Sequence, residues 1–282
     1  MQNGKPRRHP KPRPNRPRPS RDSRPRNAAV ASGAYWIYGH HTVAAALANP
    51  ARRTKRLIGV KEALESLRRT VGDAAIGQAE TTDREGVERL LPRGAVHQGL
   101  ALEALPLTGK RFEDAVALHD DRIRPNIVVL LDQVTDPHNI GAVLRSAAAF
   151  EARAVVVTER HAPGETGALA KAASGALDLV PYLRVTNLAR ALVFLAEIGY
   201  WRIGLDSSGA RALDAAGLGD GGHDDVVIVL GAEGRGMRAL TMQRTDEVMR
   251  LGLPSADGPD MPSLNVSNAA AIALYELTRS RR

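Results

Sequence analysis

The chain has 282 residues with 39 basic and 31 acidic side chains, a formal net charge of +8, and no cysteine. That length accommodates two modest domains with cores of their own, and the lack of cysteine excludes a disulfide framework, a thiolate zinc site and a cysteine nucleophile, which suits a reducing, cytoplasmic setting. The eight histidines form no H-x-x-x-H pair and no apolar run approaches membrane-spanning length, so neither a metal nor a membrane is an expected partner.

The charge is unevenly placed. Residues 1–33 hold ten Lys or Arg and seven Pro against one acid, Asp22. After them 29 basic and 30 acidic residues remain, a net of −1. A segment so poor in apolar side chains cannot bury enough surface to fold, so 1–33 is expected to be a disordered, partly polyproline-II arm. It would add salt-sensitive affinity for phosphates, or serve only as a solubilising tail. It lacks the apolar stretch of a secretory signal.

From residue 34 to 107 the pattern becomes that of a small α/β domain. Tyr35–Gly39 reads as a strand ending in a turn and Thr42–Ala48 as a short helix stopped near Asn49-Pro50. Lys55–Val60 reads as a strand, Lys61–Arg69 as a helix with Leu64 and Leu67 inward, Arg84–Leu91 as a helix and Leu100–Ala104 as a strand. Arg52, Arg53, Lys55 and Arg56, with Lys61, Arg68 and Arg69, concentrate positive charge there. Such a run is either an RNA-facing patch or a solvated face.

Residues 108–124 carry Phe112, Val116 and Leu118 on one side of a short helix and form a linker. Beyond it, from 125 to 282, apolar runs alternate with helical patterns. Strands are predicted at Ile127–Leu131, Ala154–Thr158, Leu179–Val185, Trp201–Leu205 and Val226–Leu230. Helices are predicted at Ile140–Phe150, Gly167–Gly175, Leu188–Gly199 and Met237–Arg244. This alternation predicts a parallel sheet of five or six strands.

In open α/β sheets ligands bind beyond the carboxyl ends of strands. Three polar turns stand there. The first, Asp132–Ser146, places Asn139 as an N-cap, with Ile140, Val143, Leu144 and Ala147 as a buried stripe and Arg145 off it. Arg145 there either reaches back to the strand end or makes a surface ion pair. The second turn, Gly231-Ala232-Glu233-Gly234-Arg235-Gly236, matches neither a dinucleotide fingerprint nor a P-loop. Its Glu233 reads as a catalytic or ribose-binding carboxylate, or as a partner for a helix dipole. The third turn crowds Ser263, Asn265, Ser267 and Asn268 at the start of a helix whose apolar positions are Val266, Ala270, Ala273, Leu274 and Leu277. One cap needs one such side chain, so the surplus points to a site, although plain capping would also use them.

Together T-D-P-H-N-I-G-A-V-L-R-S (135–146), L-G-A-E-G-R-G-M (230–237) and S-L-N-V-S-N-A-A (263–270) resemble the SpoU (TrmH) family of S-adenosylmethionine-dependent RNA ribose 2′-O-methyltransferases. Pro181–Arg190 and Val96–Leu100 are similar to a branch that modifies a guanosine of 23S rRNA. The resemblance covers about residues 36–282. It implies that 125–282 form a trefoil-knotted α/β methyltransferase domain acting as a homodimer, with 34–107 binding substrate RNA. It assigns catalytic roles to Asn139, Arg145, Glu233, Ser263 and Asn265, and donor contacts to Gly231, Leu253 and Leu264. An arginine as general base conflicts with a guanidinium that stays protonated at any working pH, so Arg145 is expected to grip the target phosphate, held by Asn139. The loop 253–262 is two residues longer and more acidic than the family pattern, through Asp257 and Asp260. A tRNA ribose methyltransferase and a ribosome-associated RNA-binding protein without catalysis are the rival readings.

Overall fold

The computed structural model describes residues 33–108, 111–117, 126–213, 225–252 and 264–279. The basic arm expected at 1–33 therefore lies outside the described residues except for Gly33.

The first unit comprises β1 (Tyr35–Tyr38), α1 (His40–Ala48), β2 (Thr54–Gly59), α2 (Lys61–Val71), α3 (Asp73–Ile76), β3 (Glu80–Thr81), α4 (Arg84–Glu88) and β4 (Leu100–Ala104). Its sheet runs β1-β4-β2-β3; β4 is antiparallel to both neighbours and β3 is parallel to β2. Ile37, Leu57, Leu100 and Leu102 face the helix side with Val43 of α1 and Leu64 and Leu67 of α2. The alternate residues Tyr38 and Ala101 close a smaller cluster with Val87 and Leu91. That alternation is the period of two expected of strands.

The second unit comprises α5 (Phe112–Val116), β5 (Asn126–Asp132), α6 (Pro137–Ala149), β6 (Ala154–Thr158), α7 (Gly167–Ala173) and β7 (Tyr182–Val185). It continues with α8 (Leu188–Glu197), β8 (Trp201–Leu205), β9 (Arg211–Ala212), β10 (Asp225–Gly231), α9 (Ala239–Met242), β11 (Glu247–Arg250) and α10 (Val266–Arg279). Its seven strands run β7-β6-β5-β10-β8-β11-β9, and every pairing is parallel. The two central strands are covered on both faces. Ile127, Val129 and Leu131 of β5 pack with α6, α7 and α10, whereas Val128 and Leu130 pack with Leu188, Leu192 and Leu195 of α8. Val116 of α5 joins the α8 side, so the short helix expected in a linker packs on the second unit.

Several boundaries differ from expectation. The sheet has seven strands because β9 and β11, short and mixed in polarity, join its edge. Helix α4 stops at Glu88 and α9 spans only four residues. Strand β7 starts at Tyr182, after a 3-10 turn at Ala176–Asp178. Helix α6 starts three residues early: Asp136 accepts the His138 amide at 2.9 Å and Pro137 occupies the first turn, so Asp136, not Asn139, is the N-cap. The side chain of Asn139 is thereby released from capping.

Helix α6 packs against both α7 and α10. A Cβ on Gly141 would lie 2.4 Å from the Cβ of Ala172 and 2.7 Å from its carbonyl carbon. Gly141→Ala gains about 1 kcal/mol of helix propensity but forces α7 away at a cost of about 1–3 kcal/mol. Chemical denaturation is therefore expected to show net destabilisation. A stabilised variant would mean that α7 yields freely.

Candidate active site

The site lies where the sheet changes direction. Strand β5 continues through α6 to β6 on one side, and β10 continues to β11 on the other, so the chain diverges at their carboxyl ends. Asp132 and Gly231 sit side by side at that level. The fully buried Asp132 accepts the Arg238 amide at 2.9 Å and its Nε at 2.8 Å. This pair ties the exit of the β10 loop to the end of β5. Next to it Gln133 takes a left-handed conformation, φ 62°, uncommon for a residue with a Cβ.

The β10 loop folds tightly back on itself. The Gly236 amide donates to the Ala232 carbonyl at 2.8 Å, and Gly234 and Gly236 have φ of 74° and 64°. A Cβ on Gly231 would lie 2.0 Å from the Gly236 carbonyl carbon, so the strand must end on glycine here. The turn carries Glu233 outward. Its Oε1 accepts Asn265 Nδ2 at 2.5 Å, the Val266 amide at 3.3 Å and, weakly, Asn139 Nδ2 at 3.4 Å. Asn265 Nδ2 also donates to Asn139 Oδ1 at 3.0 Å, and its Oδ1 accepts the Ser267 amide at 2.9 Å.

Asn265 thus does two jobs, capping α10 and joining the cluster. Glu233 meets the start of α10 through the Val266 amide and the first turn of α6 through the Asn139 side chain, and helix dipoles favour negative charge near such ends. Three motifs separated by 94 and 32 residues meet in one hydrogen-bonded group.

The other expected residues fall as follows. Arg145 is exposed on α6 and makes no hydrogen bond or ion pair among the described residues, so Asn139 does not hold it. Gly231 ends β10, and the half-buried Leu264 directly precedes Asn265. Ser263, Leu253, Asp257 and Asp260 lie outside the described residues. Arg53 and Lys55 are exposed and unpaired among the described residues, whereas both arms of the Arg56 fork hold Glu80 at 2.9 Å. That bond keeps the Arg56 guanidinium raised and lowers the Glu80 carboxyl.

Arg52 corrects an expectation. Its side chain is 0% exposed and pairs with Glu165 and Asp178, each at 2.7 Å, so it cannot face RNA. The Asp132–Arg238 tie was missed by sequence reasoning, although an aspartate closing an apolar run was a visible signal.

Residues 126–275 match the SpoU rRNA Methylase family. The chain belongs to the SpoU family. A SpoU relative from Coxiella burnetii, the 23S rRNA (guanosine-2′-O-)-methyltransferase RlmB, is 34% identical over 87% of this chain and 95% of its own length. An uncharacterized tRNA/rRNA methyltransferase of Synechocystis is 35% identical over 87% of this chain, which spans 62% of that protein. The SpoU methyltransferase AviRb from Streptomyces viridochromogenes, solved in complex with AdoMet, shares the fold with a TM-score of 0.69 at 19% identity, covering 91% of this chain and 93% of its own. Among the described residues no helix is long and apolar enough to cross a membrane, and no three His, Asp or Glu side chains gather in a way that would hold a metal ion.

Proposed function

We propose that this chain transfers a methyl group from S-adenosylmethionine to a ribose 2′-hydroxyl of RNA, with a guanosine of 23S rRNA as the target. The observation that carries the reading is the meeting of Asn139, Glu233 and Asn265 at the sheet's switch point. The name of the Coxiella relative supports the choice of RNA.

The residues fit the donor by their chemistry. A carboxylate suits a sulfonium cation, two carboxamides suit polar edges, and a glycine turn beside Leu264 offers backbone and apolar surface. Gly231, Leu253 and Leu264 would hold it. Bound there, it supplies an electrophilic methyl and a neutral thioether leaving group. The protein's own part is positional and electrostatic: Arg145 grips the phosphate next to the target ribose and favours the 2′-oxygen as the hydroxyl proton passes to water. Asn139, Glu233 and Asn265 fix the loops that aim the two substrates, and Ser263 shares the catalytic role that its motif implies.

The same reading assigns residues 125–282 to a trefoil-knotted domain that works as a cytoplasmic homodimer. It gives RNA binding to 34–107 through Arg53 and Lys55, and phosphate tethering to the arm 1–33.

The test is methyl transfer from labelled S-adenosylmethionine to unmethylated 23S rRNA and to bulk tRNA. Label is expected in one guanosine ribose of 23S rRNA. Label confined to tRNA would keep the chemistry and move the substrate. RNA binding without label in naked rRNA, in tRNA or in assembling large subunits would leave a non-catalytic RNA-binding protein.

A further inference from the structure

The seam between the two units is built around buried charge. Arg52, in the turn after α1, donates Nη1 to Glu165 Oε2 and Nε to Asp178 Oδ1, each at 2.7 Å. Nη1 also reaches the Tyr35 hydroxyl at 3.0 Å and the Leu105 carbonyl at 3.1 Å. Glu165 accepts the Tyr35 hydroxyl at 2.9 Å and the Leu107 amide at 3.1 Å, and Asn49 Nδ2 donates to Asp178 Oδ1 at 3.1 Å. Glu165 alone therefore gathers β1, the turn after α1 and the segment leaving β4. Burial would pull the Arg52 guanidinium down, but Asp178, Tyr35 and Glu165 outweigh it and hold it raised; burial, then Glu165, drive the Tyr35 hydroxyl up.

The backbone approaches closely at the same seam. A Cβ on Gly167 would lie 2.5 Å from the Trp36 carbonyl oxygen, and one on Gly175 would lie 2.9 Å from the Ala45 Cβ. Helix α7, which presents Gly167, packs on its other side against α6, the helix that carries Asn139 and Arg145.

Stability alone does not call for this arrangement. One cation and two anions are taken out of water, and Arg52 Nη2 and Asp178 Oδ2 have no partner among the described residues. Apolar side chains of similar volume commonly serve as well or better in such places. Directional bonds supply something an apolar contact does not, a single docking geometry. Arg53, the residue that follows, is exposed, and its carbonyl accepts the Leu105 amide at 2.9 Å.

The geometry points to Arg52 as a positioning residue for the RNA. It touches no RNA; by anchoring the first unit on Glu165 and Asp178 it sets the distance from Arg53 and Lys55 to the Asn139–Glu233–Asn265 cluster, so that only RNA of matching shape spans both. This rests on the proposed function.

The test uses the full chain. Because it has no cysteine, Glu65→Cys on α2 and Arg190→Cys on α8 accept a label pair that reports the distance between the units. Arg52→Met removes the anchor and leaves two buried carboxylates. The triple change Arg52→Met, Glu165→Gln, Asp178→Asn removes the charge altogether and guards against simple misfolding. Both are expected to broaden a narrow distance distribution. Losing a fixed second contact should raise KM and Kd for a folded rRNA fragment about tenfold, with kcat and donor affinity within about twofold. For an oligonucleotide too short to reach the first unit KM should not move, and Arg52→Lys should recover part of the loss.

Broadened distances with unchanged RNA KM and Kd would overturn the proposal. So would an equal fall in kcat and donor affinity in both variants, which would make Arg52 a plain stabiliser. If the wild type methylates no RNA the functional reading fails by itself, and the distance and Kd measurements still decide: weakened RNA binding with broadened distances upholds the anchor, and no change in either sinks it.

Discussion

Arg145→Ala is expected to lower methyl transfer about 10²- to 10³-fold while leaving the melting temperature and donor affinity nearly unchanged. The stability half follows from position. Arg145 is exposed, off the buried stripe of α6, and has no partner among the described residues, so folding does not depend on it. The activity half follows from chemistry. A guanidinium stays protonated at any working pH, so it contributes donors and charge and takes no proton. Its planar fork matches two phosphate oxygens at once, which a lysine cannot do. Arg145→Lys should accordingly recover little turnover, with the loss in kcat more than in donor Kd. Near-normal turnover in the lysine variant would show that point charge suffices and would discard the phosphate-fork role.

Part of this site is legible in the sequence and part is not. The central strands were legible because a short, β-branched apolar run, as at Ile127–Leu131, is the type covered on both faces of a parallel sheet. Strands β9 and β11 were not, since Arg211-Ala212 and Glu247–Arg250 carry no such run and join the edge through backbone pairing. The start of α6 was misplaced because Asn139 and the Asp136-Pro137 pair are both good capping signals, and proline's fixed φ decides for the earlier one. Arg52 was misread for a different reason. Within the run 52–56 its neighbours are solvent-facing cations, and nothing local distinguishes the one that turns inward. Its partners lie 113 and 126 residues away, beyond the reach of any spacing rule. The three motifs of the site were legible singly as polar turns at strand ends; that they touch is a consequence of parallel topology.

Glu233 is where that convergence can be broken most directly. One oxygen, Oε1, accepts from Asn265, from Val266 and weakly from Asn139, so the carboxylate holds the β10 loop, the entry to α10 and the first turn of α6 in register. Glu233→Ala removes the shared acceptor and lets the turn drift from Asn265, so turnover should fall about 10²-fold, because small misplacement at a reacting centre is that costly. Donor affinity should fall with it, unlike the Arg145 variants. The loss of stability should stay near 1 kcal/mol, since the cluster borders solvent and the freed amides can bind water. Glu233→Gln keeps the acceptor oxygen and loses the charge that two helix N-termini favour, so it belongs between the alanine variant and the wild type. Turnover, donor binding by calorimetry and melting temperature, measured on both variants, separate the two contributions. If glutamine matches the wild type in all three, the carboxylate acts through its oxygen's geometry alone and the helix dipoles are irrelevant to the site. If glutamine is as poor as alanine, charge is the deciding property, whether it answers the helix ends or the donor's sulfonium.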